Sequence, residues 1–181
     1  FVPSLIVTYY KYFCYKNKYS PMIFVNEFEQ TFQNIIDNQS EFYNFSPDII
    51  ITAFDLRLID AEFIYEFAKL DEKQIQHKIT NIIIYVENFF IILRKHTQKP
   101  VLLHNFMTPM FPAFGILDYQ SKNKQSLTMM KLNEMLVEIA NKISNLYIVD
   151  INRLQSFIGA INFVDSRNWH MAKMPFSISA S

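Results

Sequence analysis

The chain has 181 residues, half of them hydrophobic and 19% charged, which is long enough for one globular domain with its own core. Basic and acidic residues both number 17, and this zero net charge lacks the basic surplus typical of nucleic-acid or anionic-membrane binding. Only two glycines, Gly115 and Gly159, are present, which excludes the glycine-rich phosphate loops of the common nucleotide-binding motifs.

The first half of the chain predicts two helices and two strands. The spacing of apolar residues predicts helices over 4–16 and 28–36, and the short apolar run 22–25 predicts a buried strand between them. A β-branched run at 48–54 follows a serine–proline turn. A continuous run of this kind predicts a strand that is buried on both faces, as in a parallel sheet.

The second half continues the alternation of helices and strands. In chain order, the pattern predicts a long helix over 71–96, a strand over 101–105, a loop over 107–124, a helix over 126–143 and a strand over 146–149. The segment 160–181 shows no clear period. Helices and strands that alternate at this spacing predict an α/β fold, a three-layer α/β/α sandwich with a flavodoxin-like parallel sheet, as a single domain over residues 1–181.

The predicted order begins with a helix, although the pattern calls for a strand before it. In a flavodoxin-like sheet the first strand lies inside the sheet and not at its edge. We therefore expect a first strand that ends just upstream of Phe1 and belongs to the same domain. Because the chain also starts without Met, we expect it to be an N-terminally truncated fragment of a longer protein.

Polar residues at the carboxyl ends of the predicted strands are the candidates for a functional site, because parallel α/β sheets bind ligands there. An Asp and a His that converge at this edge can serve as orienting group and base for a nucleophile, and Asn can donate to an oxyanion. The strand ends supply Asn26, Glu27, Asp55, Arg57, His104, Asn105, Asp150 and Asn152, and the C-terminal segment adds Asp165, Arg167 and His170.

Each candidate also has a purely structural interpretation. Asp55 and Asp150 can cap the helices that follow them, and His104 can be a satisfied strand-end residue. Asp165 and Arg167 can form a structural ion pair.

Metal chemistry and membrane insertion have no support in the sequence. The histidines lack metal-ligand spacing and the chain has a single cysteine, so no metal or other cofactor is predicted. The single cysteine also indicates a reducing compartment, for which the cytoplasm is the expected location. No run of 18 apolar residues predicts a transmembrane helix.

Several strings resemble motifs of the FkbH-like proteins. The segment 45–51, FSPDIII, is similar to their FxPDxVIL strand, and LHNFMTP at 103–109, followed by Gly115, is similar to LxNFxxPxxxxxG. The string DSRNWHMAKMPFS at 165–177 resembles DxRxWYxAKxPFS and is the most specific of them. The resemblance spans roughly residues 28–177.

In that family this region is an N-terminal SGNH/GDSL-hydrolase-like domain, followed by a haloacid-dehalogenase-type phosphatase domain. The resemblance implies a protein of polyketide or polysaccharide biosynthesis. Such a protein takes a glyceryl group from a phosphorylated three-carbon donor and loads it onto an acyl carrier protein. The chain contains no DxDxT string, so the reactive aspartates and the Mg²⁺ site are expected in the second domain. The implied partners are the acyl carrier protein and that phosphatase-like domain, with no nucleic acid and no membrane.

The SGNH comparison also implies roles for single residues. The nucleophilic serine of that fold follows the first strand, which we expect upstream of Phe1. Asp165 and His170 are the candidate catalytic pair, although the spacing of the family's DxxH motif falls on Asn168. The candidates for substrate binding or the oxyanion hole are Asn26, Asp55, His104, Asn105 and Arg167.

Three functions remain open from the sequence. The first is a domain that positions the substrate or the acyl carrier for chemistry in the second domain. The second is an SGNH-type ester hydrolase that acts on acyl or acetyl esters. The third is a catalytically inactive domain that supports the fold of its neighbour.

Overall fold

The computed structural model describes residues 2–26, 30–165, 167 and 177 of the chain. The chain divides into two compact units. The larger unit comprises residues 32–154, and the smaller unit comprises residues 1–31 together with 155–181. The expectation of one domain over the whole chain stays a prediction.

Three parallel strands form the sheet of the larger unit, namely β1 (Ile50–Ala53), β2 (Val101–His104) and β3 (Leu146–Val149). The strands lie in the order β1-β2-β3, so β2 is central. In the register of the sheet, Ile50 lies opposite Val101, and Val101 lies opposite Leu146. The three strands predicted over 48–54, 101–105 and 146–149 are therefore confirmed, and the chain folds as an α/β sandwich around an open parallel sheet.

Helices fill the segments between and around the strands. The α-helices of the described residues are α1 (Val2–Lys16), α2 (Thr31–Ile36), α3 (Glu41–Phe45), α4 (Leu56–Ile59), α5 (Ala61–Tyr65), α6 (Glu72–Arg94), α7 (Gln125–Lys142), α8 (Ile151–Ile158) and α9 (Ala160–Phe163). Single 3-10 turns form at Phe67–Lys69 and Gly115–Leu117. Within the described part of the chain, no helix combines the length and the apolar character needed to cross a bilayer.

The start of α6 is fixed by a reciprocal pair of hydrogen bonds. The Asp71 carboxylate accepts from the Gln74 backbone N–H at 2.8 Å, and the Gln74 side-chain oxygen accepts from the Asp71 backbone N–H at 2.8 Å. This capping box satisfies two backbone donors at the helix start. The apolar residues that follow at intervals of three and four are buried, namely Ile75, Ile79, Ile82, Val86, Phe89, Phe90 and Leu93.

A buried aspartate from the preceding loop caps α7. Asp118 is 1% exposed, and its carboxylate accepts from the backbone N–H groups of Gln125 and Ser126, both at 3.0 Å. The Gln125 side-chain oxygen in turn accepts from the Ala113 N–H at 2.7 Å. The long loop before α7 is therefore anchored to the helix start. α7 packs against both α6 and β3.

The two faces of the sheet differ in burial. Val101 and Leu103, which point to one face, are fully buried, whereas Ile51 and Tyr147 on the other face are 55% and 54% exposed. The prediction that the strand over 48–54 is buried on both faces is therefore wrong. A continuous β-branched run conceals the alternation of burial, because the exposed positions of β1 also carry isoleucine.

Several shorter elements differ from the predictions. Residues 22–25 do not form a strand, and Met22 and Val25 are 84% and 44% exposed. The helix predicted over 28–36 is α-helical from Thr31, and the first two residues of that prediction lie outside the described residues. The helices α3, α5 and α9 were not predicted, and α4 and α8 were expected only as the helices that Asp55 and Asp150 cap. Each spans eight residues or fewer, so the apolar period repeats too rarely to be recognised.

The unequal faces predict unequal costs of truncation in the same sheet. Leu103→Ala should lower the free energy of unfolding by about 2–5 kcal/mol, because it leaves a cavity at a fully buried position of the central strand. Ile51→Ala should cost about 1 kcal/mol, because this side chain is more than half exposed. Urea denaturation of the two variants measures the difference, and equal losses would contradict this description of the sheet.

Candidate functional site

Side chains at the carboxyl ends of β2 and β3 join the two strands. Asn105 directly follows β2, and its Nδ2 donates to Asp150 Oδ1 at 3.0 Å, while its Oδ1 accepts from the Ile151 backbone N–H at 2.9 Å. Asp150 Oδ1 also accepts from the backbone N–H groups of Asn152 at 3.1 Å and Arg153 at 3.3 Å. Asp150 therefore caps the start of α8, as its structural interpretation requires, and Asn105 connects this cap to the central strand.

Two further asparagines hold the backbone that follows Asn105. Asn133 of α7 accepts from the Phe106 N–H at 2.7 Å and donates to the Phe106 carbonyl at 2.8 Å, as a neighbouring strand would. Asn152 donates to the same carbonyl at 2.9 Å and accepts from the Thr108 N–H at 2.7 Å. Asn105, Asp150, Asn152 and Asn133 thus form one connected network, which we call the amide network.

His104, the last residue of β2, lies at the same edge of the sheet. Its ring is partly buried, and within the described residues its buried Nδ1 atom has no hydrogen-bond partner. Burial lowers the pKa of His104 from its ordinary value of 6.5, because the charged ring loses solvation. The interpretation of His104 as a satisfied strand-end residue therefore finds no support at Nδ1 among the described residues. The ring is neutral near pH 7, and one of its nitrogens has no hydrogen-bond partner in the part of the chain that the structure describes.

Asp55 and Arg57 follow β1 and form a compact pair. Asp55 is the N-cap of α4, and its Oδ1 accepts from both the backbone N–H and the Nε of Arg57 at 2.9 Å. Its Oδ2 lies 2.5 Å from Arg57 Nη2. The side chains of Asp55 and Arg57 are only 20% and 13% exposed. The capping interpretation of Asp55 is confirmed, and the same carboxylate also holds the guanidinium.

In the smaller unit, Asp165 and Arg167 repeat this local geometry. Asp165 Oδ1 accepts from the backbone N–H of Arg167 at 2.9 Å and from its Nε at 3.2 Å, and Oδ2 lies 3.0 Å from Nη2. The side chain of Arg167 is 85% exposed. Hydrogen bonding to Asp165 raises the pKa of Arg167. The ion pair foreseen from the sequence is therefore present, and it has the same Asp-x-Arg spacing as Asp55 and Arg57.

The remaining predicted residues are distant in sequence from the amide network. Asn26 is partly buried in an irregular segment of the smaller unit. Glu27 and His170 lie outside the described residues, so the predicted pairing of His170 with Asp165 stays a prediction. Within the described ranges, no group of three or more His, Cys, Asp or Glu side chains has the arrangement needed to hold a metal ion.

Asn133 and Asp118 were not predicted as site residues, although Asn133 holds the backbone after β2 and Asp118 anchors the loop before α7. Asn133 is a polar residue directly after the buried Leu132 in α7, which is a weak signal in a single sequence. Asp118 lies seven residues before the helix that it caps, outside the local spacing that capping motifs use.

The fold and the site define an α/β domain whose parallel strands end in a polar edge rich in asparagine and aspartate. Residues 5–180 match the family described as the N-terminal domain of FkbH, and the chain belongs to this family. A comparison with curated proteins found no match.

A solved structure supports the fold. It is described as the N-terminal part of the protein BF1531 from Bacteroides fragilis, containing a phosphatase domain complexed with Mg. The alignment has a TM-score of 0.69 and 17% sequence identity, and it covers 94% of this chain and 43% of the other. This chain therefore spans less than half the length of that structure, and the similarity concerns the fold.

The contact between Asn105 and Asp150 predicts a pH-dependent effect of adding one charge. Asn105→Asp replaces a donor 3.0 Å from a carboxylate oxygen by a second carboxylate, and should cost about 1–3 kcal/mol of unfolding free energy at neutral pH. The loss should shrink as the pH falls to about 4, because the introduced carboxyl group beside a second carboxylate binds a proton readily. Chemical denaturation at both pH values measures the effect. Asn38→Asp, in an exposed turn, is the control, and equal losses for both variants would contradict the role of the network.

The lowered pKa of His104 predicts acid destabilisation. Above pH 6.5 the ring is neutral in both the folded and the unfolded chain, so it contributes no pH dependence. As the pH falls below 6.5, the unfolded chain binds the proton first, and the free energy of unfolding decreases. His104→Gln should therefore lose less stability between pH 6.5 and about pH 5 than the wild type, measured by denaturant titration. If the unfolding free energy of His104→Gln falls with pH as steeply as that of the wild type, the prediction is contradicted. His77→Gln, on the exposed surface of α6, should keep that slope.

Proposed function

We propose that this chain positions the substrate or the acyl carrier in a protein that loads a glyceryl unit onto an acyl carrier protein. Membership of the FkbH N-terminal family supports the proposal, because FkbH-like proteins resemble enzymes with this activity. A phosphatase-like domain of the same protein then carries the phosphoryl and metal chemistry. The Bacteroides fragilis structure contains a phosphatase domain complexed with Mg in its own protein, which supports this division of roles.

The proposal rests on one observation: the polar side chains at the strand ends hold the loops that follow the strands. Asp55, Asn105, Asp150 and Asn152 all bind backbone N–H groups of the segments that follow the strands. A general base or a nucleophile has to exchange a proton with the substrate, whereas these groups are engaged in fixing the loops. A polar edge whose loops are fixed in this way suits the positioning of a bound molecule.

His104 is the candidate substrate contact at this polar edge. Its neutral ring holds a buried Nδ1 that lacks a partner among the described residues, and a substrate hydroxyl or amide can supply that partner. For the other predicted residues, Asn26, Asp55, Asn105 and Arg167, we propose contact with the substrate or the carrier arm on the family resemblance alone, since Asp55 and Asn105 already hold the loops.

Ester hydrolysis by Asp165 and His170 is the alternative prediction. An orienting aspartate in such a pair has to hold the histidine ring, as in hydrolytic triads. In this chain both carboxylate oxygens of Asp165 already accept hydrogen bonds from Arg167. This engagement favours the positioning role over hydrolysis.

Carrier binding tests the proposed function. Isothermal titration of the full chain with a holo acyl carrier protein should give saturable binding, and His104→Gln should weaken it while His77→Gln does not. The absence of binding to the wild type would contradict the proposal.

The same preparation tests the alternative. We expect no hydrolysis of p-nitrophenyl acetate beyond the buffer rate. Hydrolysis that is lost in both Asp165→Ala and His170→Ala, but kept in His77→Gln, would establish the esterase instead.

A further inference from the structure

A groove of about 240 Å³ lies between the N-terminal halves of α6 and α7. Its apolar part consists of the buried Ile75 and Ile79 and of Leu127, which is 41% exposed. Three lysines, Lys122, Lys124 and Lys131, border it on the side of α7 and the loop before α7, and Glu72 and Gln76 border it on the side of α6. We call it the lysine groove.

The charges of the lysine groove are poorly compensated. Lys122 lies 3.3 Å from Glu72, but both side chains are more than 70% exposed, and a pair of this kind contributes little. In the described part of the chain, the one polar contact of Lys131 Nζ is with the neutral Gln76 side-chain oxygen, at 3.4 Å. Among the described residues, no carboxylate lies within 4.0 Å of Lys124 or Lys131. The chain as a whole carries no net charge, so this positive patch is a local feature.

The segment that carries two of the lysines is held in place on both sides. Asn123 lies between them, and its Nδ2 donates to the Leu70 carbonyl at 2.8 Å. The Asp118 carboxylate fixes the first residues of α7 directly after Lys124. Because this segment has little backbone freedom left to lose, binding at the groove carries a reduced entropic cost.

The topology puts the lysine groove towards the polar edge of the sheet. In a parallel βαβ unit the crossover helix runs antiparallel to its strands, so its N-terminus lies near the carboxyl ends of the strands. The N-terminal halves of α6 and α7 therefore lie towards the end of the sheet that carries His104 and Asn105. A partner bound in the groove can reach that edge.

We propose that the lysine groove docks an acidic amphipathic helix of a partner protein. An apolar side chain of that helix packs on Leu127 and Ile75, and its carboxylates face Lys124 and Lys131. A groove between two helices, with an apolar base and a cationic side formed by α7 and the loop before it, matches helix-in-groove recognition in shape and charge. Under the proposed function, on which this step rests, the acyl carrier protein is that partner.

A synthetic helical peptide tests the groove independently of the carrier. The probe is an amphipathic peptide with glutamates on both sides of a leucine stripe, titrated into the ¹⁵N-labelled full chain. Amide shifts should concentrate in 122–131 and in the first turns of α6, and the affinity should fall with added salt. A peptide with lysine in place of every glutamate should not bind. Equal binding of both peptides, or shifts elsewhere only, would overturn the proposal.

Charge reversal supplies a matched pair of variants. Lys124→Glu with Lys131→Glu should weaken binding of the acidic peptide by roughly tenfold or more. The control, Lys95→Glu with Lys142→Glu, alters net charge equally at the C-terminal ends of the same two helices and should bind as the wild type does. Thermal melts of both variants verify the fold. A glutamate next to the start of α7 is favourable there, so Lys124→Glu should not unfold the chain.

The carrier protein distinguishes failure of the groove from failure of the proposed function. Apo and holo carrier should both lose affinity for the groove variant, because the lysines contact the helix and not the phosphate of the prosthetic arm. Dependence on the lysines in the holo form alone would overturn helix docking. A carrier that binds the wild type and the groove variant equally would contradict the groove and leave the proposed function standing. A peptide that binds while the carrier does not would contradict the proposed function and leave the groove standing.

Discussion

The hydrogen bonds between Asn105, Asp150 and Ile151 are the constraint on which the polar edge of the larger unit depends. Backbone groups are left without partners where the central strand β2 ends. Backbone N–H groups are also left without partners at the start of α8, the helix that follows β3. One asparagine meets both needs, because it donates to the capping carboxylate and accepts from the first backbone N–H of α8. Asn133 and Asn152 extend the same arrangement to Phe106 and Thr108.

This constraint explains why the strand ends carry asparagine where sequence reasoning looked for catalysis. An amide side chain can donate and accept at once, so it can take the place of a peptide group in a turn that has no neighbouring strand. The asparagine and aspartate side chains at this edge hold the backbone of the loops in place. What remains available is the partly buried ring of His104 and the surface around it.

The sequence predicted the sheet and the two long helices because their patterns repeat. In α6 seven buried apolar side chains recur along the helix, and the β-branched run at 48–54 and the apolar run at 101–103 follow proline-containing turns. The exposed face of β1 could not be predicted, since Ile51 looks like a core residue in any single sequence. The strand expected at 22–25 had four residues and no alternation to support it.

The candidate site was predicted in part for the same reason. Residues at strand ends can be found by locating the strands, and His104, Asn105 and Asp150 were found in this way. Their partners could not be, because Asn133 contacts Phe106 across 27 positions of the chain and Asp118 reaches α7 from inside an irregular loop. The shared geometry of the two Asp-x-Arg pairs also emerges only from the distances.

Amide hydrogen exchange at Phe106, Thr108 and Ile151 tests most directly whether the amide network fixes the polar edge. Each of these N–H groups donates to a side-chain oxygen of Asn133, Asn152 or Asn105. We expect protection close to that of the central strand, because opening the edge requires breaking the whole network. Exchange at the rate of an exposed loop at these three positions would contradict the role of the network.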